Sequence, residues 1–486
     1  MLPLRELLKR HHGDEISTAP PNDKPHHLQG EQSNAREAPV RNHIISGFSK
    51  LGLSRKLPGR PNHNRETGGS SSRGKQLSVH FEDEENLLQN LLPGIPDRVT
   101  IEGILTKTSW RTLCTLAAVN RAWRRAIQSR RVYRARNYIN STKTLAAIIH
   151  QSPAPQFAAD YAAANRTRSG RFVPAHWRFT MSLYDPAEDS WHRLPPIPGV
   201  SCGIPKSCGC TFLNGKLYVI GGDDYDKVQS KKEVYMIDLA ACRGVWQKCA
   251  TMQNGRSEFP CEVNNGRIYV FGGGYQSEVN YSRDAEVFDP ERNEWHPVAD
   301  MMSQRTNHTV VPLEGKLYVI GGSVWLDEED DLLYQRLGDC DDMFDSTLHA
   351  RFAEVYDPWK KYWRKVENVT RRETDDAFVV VHGKLHVLRP DSVHVYDVQS
   401  NSWTFLQHIS WENQACVGAK DCSVCVAAFI EGELLALVGR TREEDYGLSL
   451  LRSKNFCRRN CQMTWEAISC PHEFDSQFFA LRPIQL

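Results

Sequence analysis

NGKLYVIGG (214–222), NGRIYVFGG (265–273) and EGKLYVIGG (314–322) are one phrase written three times along the chain. After each comes a second strand-like run and then a tryptophan: VYMID (234–238) and Trp246, VFDP (287–290) and Trp295, VYDP (355–358) and Trp363. Weaker copies follow, HGKLHVLRP (382–390) with VYDV (395–398) and Trp403, then EGELLALVG (431–439) with Trp465. A partial copy, LYDP (183–186) with Trp191, precedes them all. A period of about 50 residues built from short strands fits a four-stranded propeller blade. The parts have mechanical reasons. A Gly-Lys or Gly-Arg turn reverses the chain in two residues, Gly-Gly lets backbones approach closely, and proline, lacking an N–H, ends a strand. Each Trp supplies an apolar wedge of roughly 150–250 Å².

The six tryptophans count six blades. Only Arg178 to Tyr184 and Ser190 to Arg193 are obvious strands in the partial copy, and the chain end, SQFFALRPIQL (476–486), reads as another. The C-terminus is therefore expected to complete the first blade and remove the open edges. Thr144 to Ile149 reads equally as a further strand or a linker helix.

Upstream, residues 91–136 are helical in pattern. Pro96 and Asp97 mark a helix start, with Val99, Ile101, Ile104 and Leu105 as an apolar stripe. Ser109 is suited to cap a second helix carrying Leu113, Leu116 and Ala117. Asn120 is suited to cap a third, with Trp123 and Ile127 on one face and Arg121, Arg124 and Arg125 on the other. So small a core leans on a partner. Residues 1 to about 85 are rich in Pro, His, Ser, Gly, Arg and Asn and cannot bury enough surface to offset ordering entropy, so they read as a disordered tail. Its basic stretch from Gly47 to Arg73 reads as solvated rather than as an RNA or import signal.

The whole chain has 486 residues and a formal net charge of +1, which gives no pull toward nucleic acid, membrane or acidic substrates. The start is charged, and no apolar run reaches the roughly 18 residues needed to cross a bilayer, so the cytoplasm or nucleus is expected. Fourteen cysteines then read as reduced, mostly buried thiols. Cys422, Cys425, Cys457, Cys461 and Cys470 loosely resemble a zinc site, but the first two open an apolar strand and the later gap is wrong; strand or hairpin packing is favoured, with no metal or cofactor.

Leu92-Pro93, Ile95-Pro96-Asp97, Val99, Ile104-Leu105, Leu113, Leu116, Val119 and Trp123 resemble the F-box, and the Gly-Gly, Tyr/Phe-Asp-Pro and Trp signatures resemble kelch repeats. Together they resemble the F-box/kelch-repeat proteins common in plants. The expected fold is multidomain: a disordered N-terminal tail over 1–85, a small all-α F-box bundle over 86–136, a linker or first strand over 137–174, and an all-β six-bladed kelch β-propeller over 175–486. The resemblance implies the substrate-recognition subunit of an SCF-type E3 ubiquitin ligase, a monomer within its complex and without catalytic residues. Its F-box would dock a Skp-type adaptor, and through it a cullin, using Leu92, Pro93, Ile95, Pro96, Val99, Ile104, Leu105, Leu116 and Trp123. The propeller would bind the target protein, with no membrane or nucleic acid involved.

In an antiparallel blade, the links between second and third strands and the links between blades open on one face. Arg256 and Arg305 fall in matching inter-blade links, and Arg371 and Arg372 fall near the next, so guanidiniums would ring a mouth suited to carboxylates or phosphates. Capping within the blade is an equal reading. The insertion Ser323 to Ala350 is acidic, with Asp327, Glu328, Glu329, Asp330 and Asp331 among others. With Trp325 as an anchor it would select a basic target surface, or it is a solvated loop. Two rivals stand: a kelch scaffold of the actin-binding type without ligase role, and a propeller enzyme. Against the latter, the sequence shows no matched acid/base pair, nucleophile elbow or phosphate loop.

Overall fold

The computed structural model describes residues 91–152, 178–224, 227–275, 280–325, 348–349, 352–367, 369, 376–410, 422–440, 448–458, 461–471 and 478–486. The expected tail over 1–85, most of the acidic insertion and Arg371 and Arg372 lie outside them.

A helical unit comes first. A short helix α1 (Asp97–Val99) runs on through a wider turn, Thr100–Ile104, and a tighter one, Leu105–Lys107, into α2 (Trp110–Val119), α3 (Arg121–Gln128) and α4 (Arg131–Tyr138). Ser109 Oγ accepts from Thr112 N–H at 3.3 Å and Asn120 Oδ1 from Trp123 N–H at 2.9 Å, so both act as the expected N-caps. Asp97 does not cap its own helix; its carboxylate accepts instead from Leu91 N–H at 2.7 Å, pinning the strand-like approach to the helix. The fourth helix was not legible because RVYRARNY looks like a charged surface. Its Arg136 is buried, with the guanidinium donating to the carbonyls of Leu105 and Thr106 at 3.3 and 3.1 Å and to that of Thr108. Those carbonyls end the preceding helical segment, where Thr108 N–H reaches only that of Leu105, at 3.2 Å, and the guanidinium serves the rest.

Everything downstream is β. Sheet A orders Phe478–Gln485, Thr144–Ser152, Arg178–Asp185 and Ser190–Arg193. Sheet B orders Gly209–Leu213, Lys216–Ile220, Val234–Asp238 and Trp246–Lys248; sheet C orders Cys261–Asn264, Arg267–Tyr275, Asn280–Asp289 and Glu294–Val298. Sheet D orders Thr309–Leu313, Lys316–Ile320, Phe352–Asp357 and Tyr362–Glu367. Sheet E has eight strands: Ala377–Val381, Lys384–Leu388, Ser392–Asp397 and Ser402–Ser410, then Met463–Ala467, Leu448–Lys454, Glu433–Arg440 and Cys422–Ile430. Its halves join where Ile409 pairs with Met463 and Ser410 with Thr464, in parallel. The first strands of A, B, C, D and the near half of E touch in succession, and Cys422–Ile430 returns to Phe478–Gln485, so the arrangement is propeller-like and closed.

Closure uses the C-terminal strand. Phe478–Gln485 pairs antiparallel with Thr144–Ser152, which settles the open reading of Thr144 to Ile149 as a strand. Lys143 and Leu486 exchange backbone hydrogen bonds at 2.9 Å. From this strand the buried Arg482 reaches the carbonyls of Cys210 in sheet B and Cys261 in sheet C, and the Glu262 carboxylate at 3.1 Å.

The tryptophans join neighbouring sheets in one repeated way. Trp246 Nε1 donates to Pro195 O at 2.7 Å, Trp295 to Ala250 O at 3.0 Å and Trp363 to Ala299 O at 2.7 Å. Each carbonyl lies four residues past the preceding sheet's Trp. Trp191 continues the series by donating to Ser469 O at 3.0 Å, four residues past Trp465, so the first sheet takes the last as its predecessor.

Gly-Gly sits at the joint between sheets. A Cβ on Gly222 would meet Lys206 O at 2.5 Å, within its own sheet's arriving segment, while one on Gly221 would meet Arg256 O at 2.6 Å, in the next sheet's. Only hydrogen on both faces lets the two segments close in.

Candidate functional site

Antiparallel strands give the closed arrangement two ends, and the helical unit occupies one of them. Trp110 Nε1 donates to Leu239 O at 2.8 Å, and the Arg130 guanidinium donates to Asn214 O. Asn214 and Leu239 lie in the turns after the first and third strands of sheet B, so this is the turn end. Arg130 also lies 3.9 Å from the Asp238 carboxylate and 5.3 Å from the Tyr133 ring centroid. Cys242 packs on the helical core, and the Trp110 ring stands 5.8 Å from that of His192.

The expected adaptor-binding residues divide into two sets. Leu105 and Trp123 are buried with Leu91, Ile101, Leu113, Ala117, Ala126, Ile127 and Val132 as the unit's core, and Leu92 and Leu116 are half-buried against it. Pro93, Ile95, Pro96, Val99 and Ile104 face outward, with Val99 54% exposed and Ile104 44% exposed. Thr100 and Ile101 turn inward between them, so Val99 and Ile104 flank the turn on its outer side. So small a core covers the inward residues and leaves these apolar side chains at the surface, beside the exposed Arg98–Glu102 ion pair.

At the opposite end the inter-sheet segments form a mouth. Three run in register: Pro205-Lys206-Ser207-Cys208, Arg256-Ser257-Glu258-Phe259 and Arg305-Thr306-Asn307-His308. Their third residues, Ser207, Glu258 and Asn307, all lie left-handed, with φ of 52°, 54° and 53°. Glu258 N–H donates to Ser207 O at 3.0 Å and Asn307 N–H to Glu258 O at 3.0 Å, so peptide groups are linked from sheet to sheet. Side chains extend the link: Asn307 Nδ2 donates to Glu258 Oε2 at 3.2 Å, and the Ser230 hydroxyl lies 3.1 Å from Asp223 Oδ1 and 3.2 Å from Ser257 Oγ. Burial, reinforced by the Glu258 carboxylate, pushes Asp223 up to about 6 against the opposing Ser230 hydroxyl and Lys206 ammonium. Burial also lowers Lys206, and Asp223 and Glu258 partly offset that. Left-handed backbone at a non-glycine residue persists only where the surroundings hold it, and here the sheet-to-sheet peptide bonds do so. Sequence reasoning passed over these residues; the signal was their matching offset before each Gly-Lys or Gly-Arg turn.

Arg256 and Arg305 do not ring this mouth. Arg256 Nη2 donates to Glu286 Oε1 at 2.6 Å and Nη1 to Gly272 O at 2.9 Å; Arg305 Nε donates to Glu354 Oε1 at 3.0 Å and Nη1 to Gly321 O at 3.0 Å. Both guanidiniums are buried, 1% and 0% exposed, and bind each inter-sheet segment to the third strand of its own sheet. The capping alternative describes them: each planar fork finds a carboxylate and carbonyls inside the blade, and burial keeps it away from any ligand at the mouth. The Trp325 backbone pairs with Gln304 at the mouth, while its side chain, like Arg372, lies outside the described residues.

Cys425 lies buried in its strand and Cys470 packs on the same core, whereas Cys457 and Cys461 are exposed. Among the described residues, no three His, Cys, Asp or Glu side chains come together as a metal site.

Residues 176–368 match the KLHDC2/KLHL20/DRC7 Kelch-repeats domain. An F-box/kelch-repeat protein of Arabidopsis thaliana is 27% identical over 298 residues, which cover 58% of this chain and 66% of its own length. A second from the same plant is 27% identical over 238 residues, 48% of this chain and 62% of its own length. The chain thus spans just under two thirds of the length of these two curated relatives. Kelch-like protein 23 of Homo sapiens is 24% identical over 270 residues, 48% of this chain and 47% of its own length.

Proposed function

We propose, for a chain that carries a kelch-repeat domain and is related to plant F-box/kelch-repeat proteins, that it is the substrate-recognition subunit of an SCF-type ubiquitin ligase. The observation that carries this reading is the outward apolar surface of Pro93, Ile95, Pro96, Val99 and Ile104 on a helical unit fixed to the end of the propeller opposite its mouth. Burying such a side chain is worth about 1.5–3 kcal/mol, so a handful supports a firm interface with a Skp-type adaptor. The adaptor brings a cullin; the mouth, with Lys206, Asp223, Glu258 and Asn307, receives the target protein. The propeller in this reading has six blades, sheet E being two of them, and the chain works as a monomer within the complex in the cytoplasm or nucleus. It holds the target and transfers nothing itself.

The test is co-purification of the full-length chain with a Skp-type adaptor. The outward residues are the informative ones to change: Ile95→Asp with Val99→Asp should abolish capture while leaving the thermal transition in place. Capture that survives both changes refutes the assignment. A second reading is a kelch scaffold without ligase role, favoured by a family match that begins at residue 176, after the helical unit. A wild-type chain that binds no adaptor would establish it.

A further inference from the structure

The turns between third and fourth strands allow a comparison within the chain. Four share a frame: Asp-Pro-Ala-Glu-Asp (185–189), Asp-Pro-Glu-Arg-Asn (289–293), Asp-Pro-Trp-Lys-Lys (357–361) and Asp-Val-Gln-Ser-Asn (397–401). In each, the Asp carboxylate accepts from the N–H two residues on: Ala187 at 2.9 Å, Glu291 at 3.1 Å, Trp359 at 3.0 Å and Gln399 at 2.8 Å. In each, the fifth residue is left-handed: Asp189 at 46°, Asn293 at 56°, Lys361 at 55° and Asn401 at 51°. The frame therefore explains the first Asp and favours Asn or Asp at the fifth position, where short polar side chains tolerate that conformation. It asks nothing of the third position, which is exposed in all four turns.

Sheet D stands apart from the other three turns at two positions. Its third residue is Trp359, 80% exposed, and its fifth is Lys361, a long side chain on left-handed backbone. Neither departure serves the fold, because an exposed indole buries little and Lys gains nothing from that conformation. What the two produce is a surface. Lys360 and Lys361 are exposed, and the Lys360 ammonium lies 5.9 Å from the ring centroid of Tyr362, itself 44% exposed. Arg364 and Lys365 continue the basic character along the outer strand, with Glu367 paired to Lys365 at 3.0 Å. The turn lies at the same end of the propeller as the Asn214 and Leu239 turns that hold the helical unit.

We propose that the Trp359–Tyr362 turn docks an acidic protein surface on the cullin-bearing scaffold that the adaptor brings to this end. The inference rests on the ligase reading and adds a second contact to it, independent of the apolar helical face. An indole flanked by ammonium groups fits a recess rimmed by carboxylates: the ring is the anchor, and the lysines steer approach and fix register. Protein is favoured over nucleic acid because the unit sharing this end is itself a protein-docking one and the chain as a whole carries a net charge of only +1.

The experiment measures binding of the full-length chain to a purified Skp-type adaptor alone, to the adaptor–cullin complex and to a single-stranded RNA oligonucleotide, at low and high salt. The variants are Trp359→Ala and the double change Lys360→Glu with Lys361→Glu, all at exposed positions. Wild type should bind the adaptor–cullin complex more tightly than the adaptor alone. Each variant should lose tenfold or more on the complex at low salt and stay within twofold of wild type on the adaptor. Equal affinity of wild type and variants for the complex overturns the proposal, as does RNA binding that the variants abolish. A wild-type chain that binds neither protein refutes the ligase reading, and this inference with it. Binding of adaptor alone, with no gain from the cullin, refutes only the second contact.

Discussion

At the scale of single residues, the arginines beneath the mouth and the titrating groups in it have opposite kinds of importance. Arg305 and Glu354 are both 0% exposed, and each satisfies the other's charge. Removing one partner strands a buried charge, which costs about 3–5 kcal/mol. Arg305→Ala is expected to lower stability by that amount in urea unfolding, whereas a surface change such as Arg283→Ala should stay within about 0.5 kcal/mol. Asp223 and His150 shift in ways that oppose each other as pH falls. Burial lowers His150 to about 4, although the Gln151 carbonyl, 3.3 Å from Nδ1, favours the charged ring. Below its ordinary pKa the unfolded chain takes up a proton that the fold refuses, so stability is lost as pH falls through that interval. Asp223, raised to about 6, does the reverse: the fold keeps a proton that the unfolded chain releases, so stability rises as pH falls from about 6 toward 4. Asp223→Asn removes the second effect alone. Its thermal midpoint should therefore drop more steeply than wild type between pH 6 and pH 4; parallel curves would show that Asp223 titrates normally.

Among elements, the helical unit shows how one apolar stripe serves two ends. Ile101 and Leu105 turn inward while Val99 and Ile104 turn outward, because the chain widens into a π-helical turn over Thr100–Ile104 before tightening again. Trp123 belongs to the inward set. Trp123→Ala should cost about 3–5 kcal/mol through the cavity it leaves and reduce adaptor capture only by unfolding the unit. Val99→Ala should leave the far-ultraviolet spectrum and thermal transition unchanged while weakening capture several-fold. The comparison separates a docking residue from a core residue, which the stripe alone does not. The blades follow the same logic: the phrase NGKLYVIGG specifies a turn and the strand that leaves it, and Gly221 then sets how closely the next blade's arriving segment can approach, as Gly222 does for its own.

The molecule as a whole depends on closure. Phe478–Gln485 supplies the first strand of sheet A, and its Arg482 holds sheets B and C through carbonyls and Glu262. Deleting residues 478–486 exposes the backbone edge of Thr144–Ser152 and removes a buried cation that Glu262 needs. Such a chain is expected to aggregate or to lose its cooperative transition in calorimetry, and Arg482→Met to lower the midpoint while keeping the full strand. A cooperative, monomeric truncated protein would show that the ring does not need its last strand. Under the proposed function rigid closure has a further consequence: with the helical unit fixed at one end by Trp110 and Arg130, the mouth would stay at a set separation from a docked adaptor.

The sequence by itself determined the blades, their turns, the wedging tryptophans and the C-terminal strand as closing element. These are local patterns repeated often enough for each copy to identify the others, and LYDP with Trp191 implied a partner strand because two strands cannot bury a face alone. It also brought the outward and inward helical residues to notice, though as one undivided set. Tertiary structure alone decided which of them face out, that Arg256 and Arg305 turn inward to Glu286 and Glu354, and that Ser207, Glu258 and Asn307 meet at one mouth. The physical reason is the range over which each choice is made. A turn or strand is selected by neighbours within a few residues, but an arginine's direction depends on a carboxylate some 30 to 50 residues away, as the 30-residue separation of Arg256 from Glu286 and the 49-residue separation of Arg305 from Glu354 show.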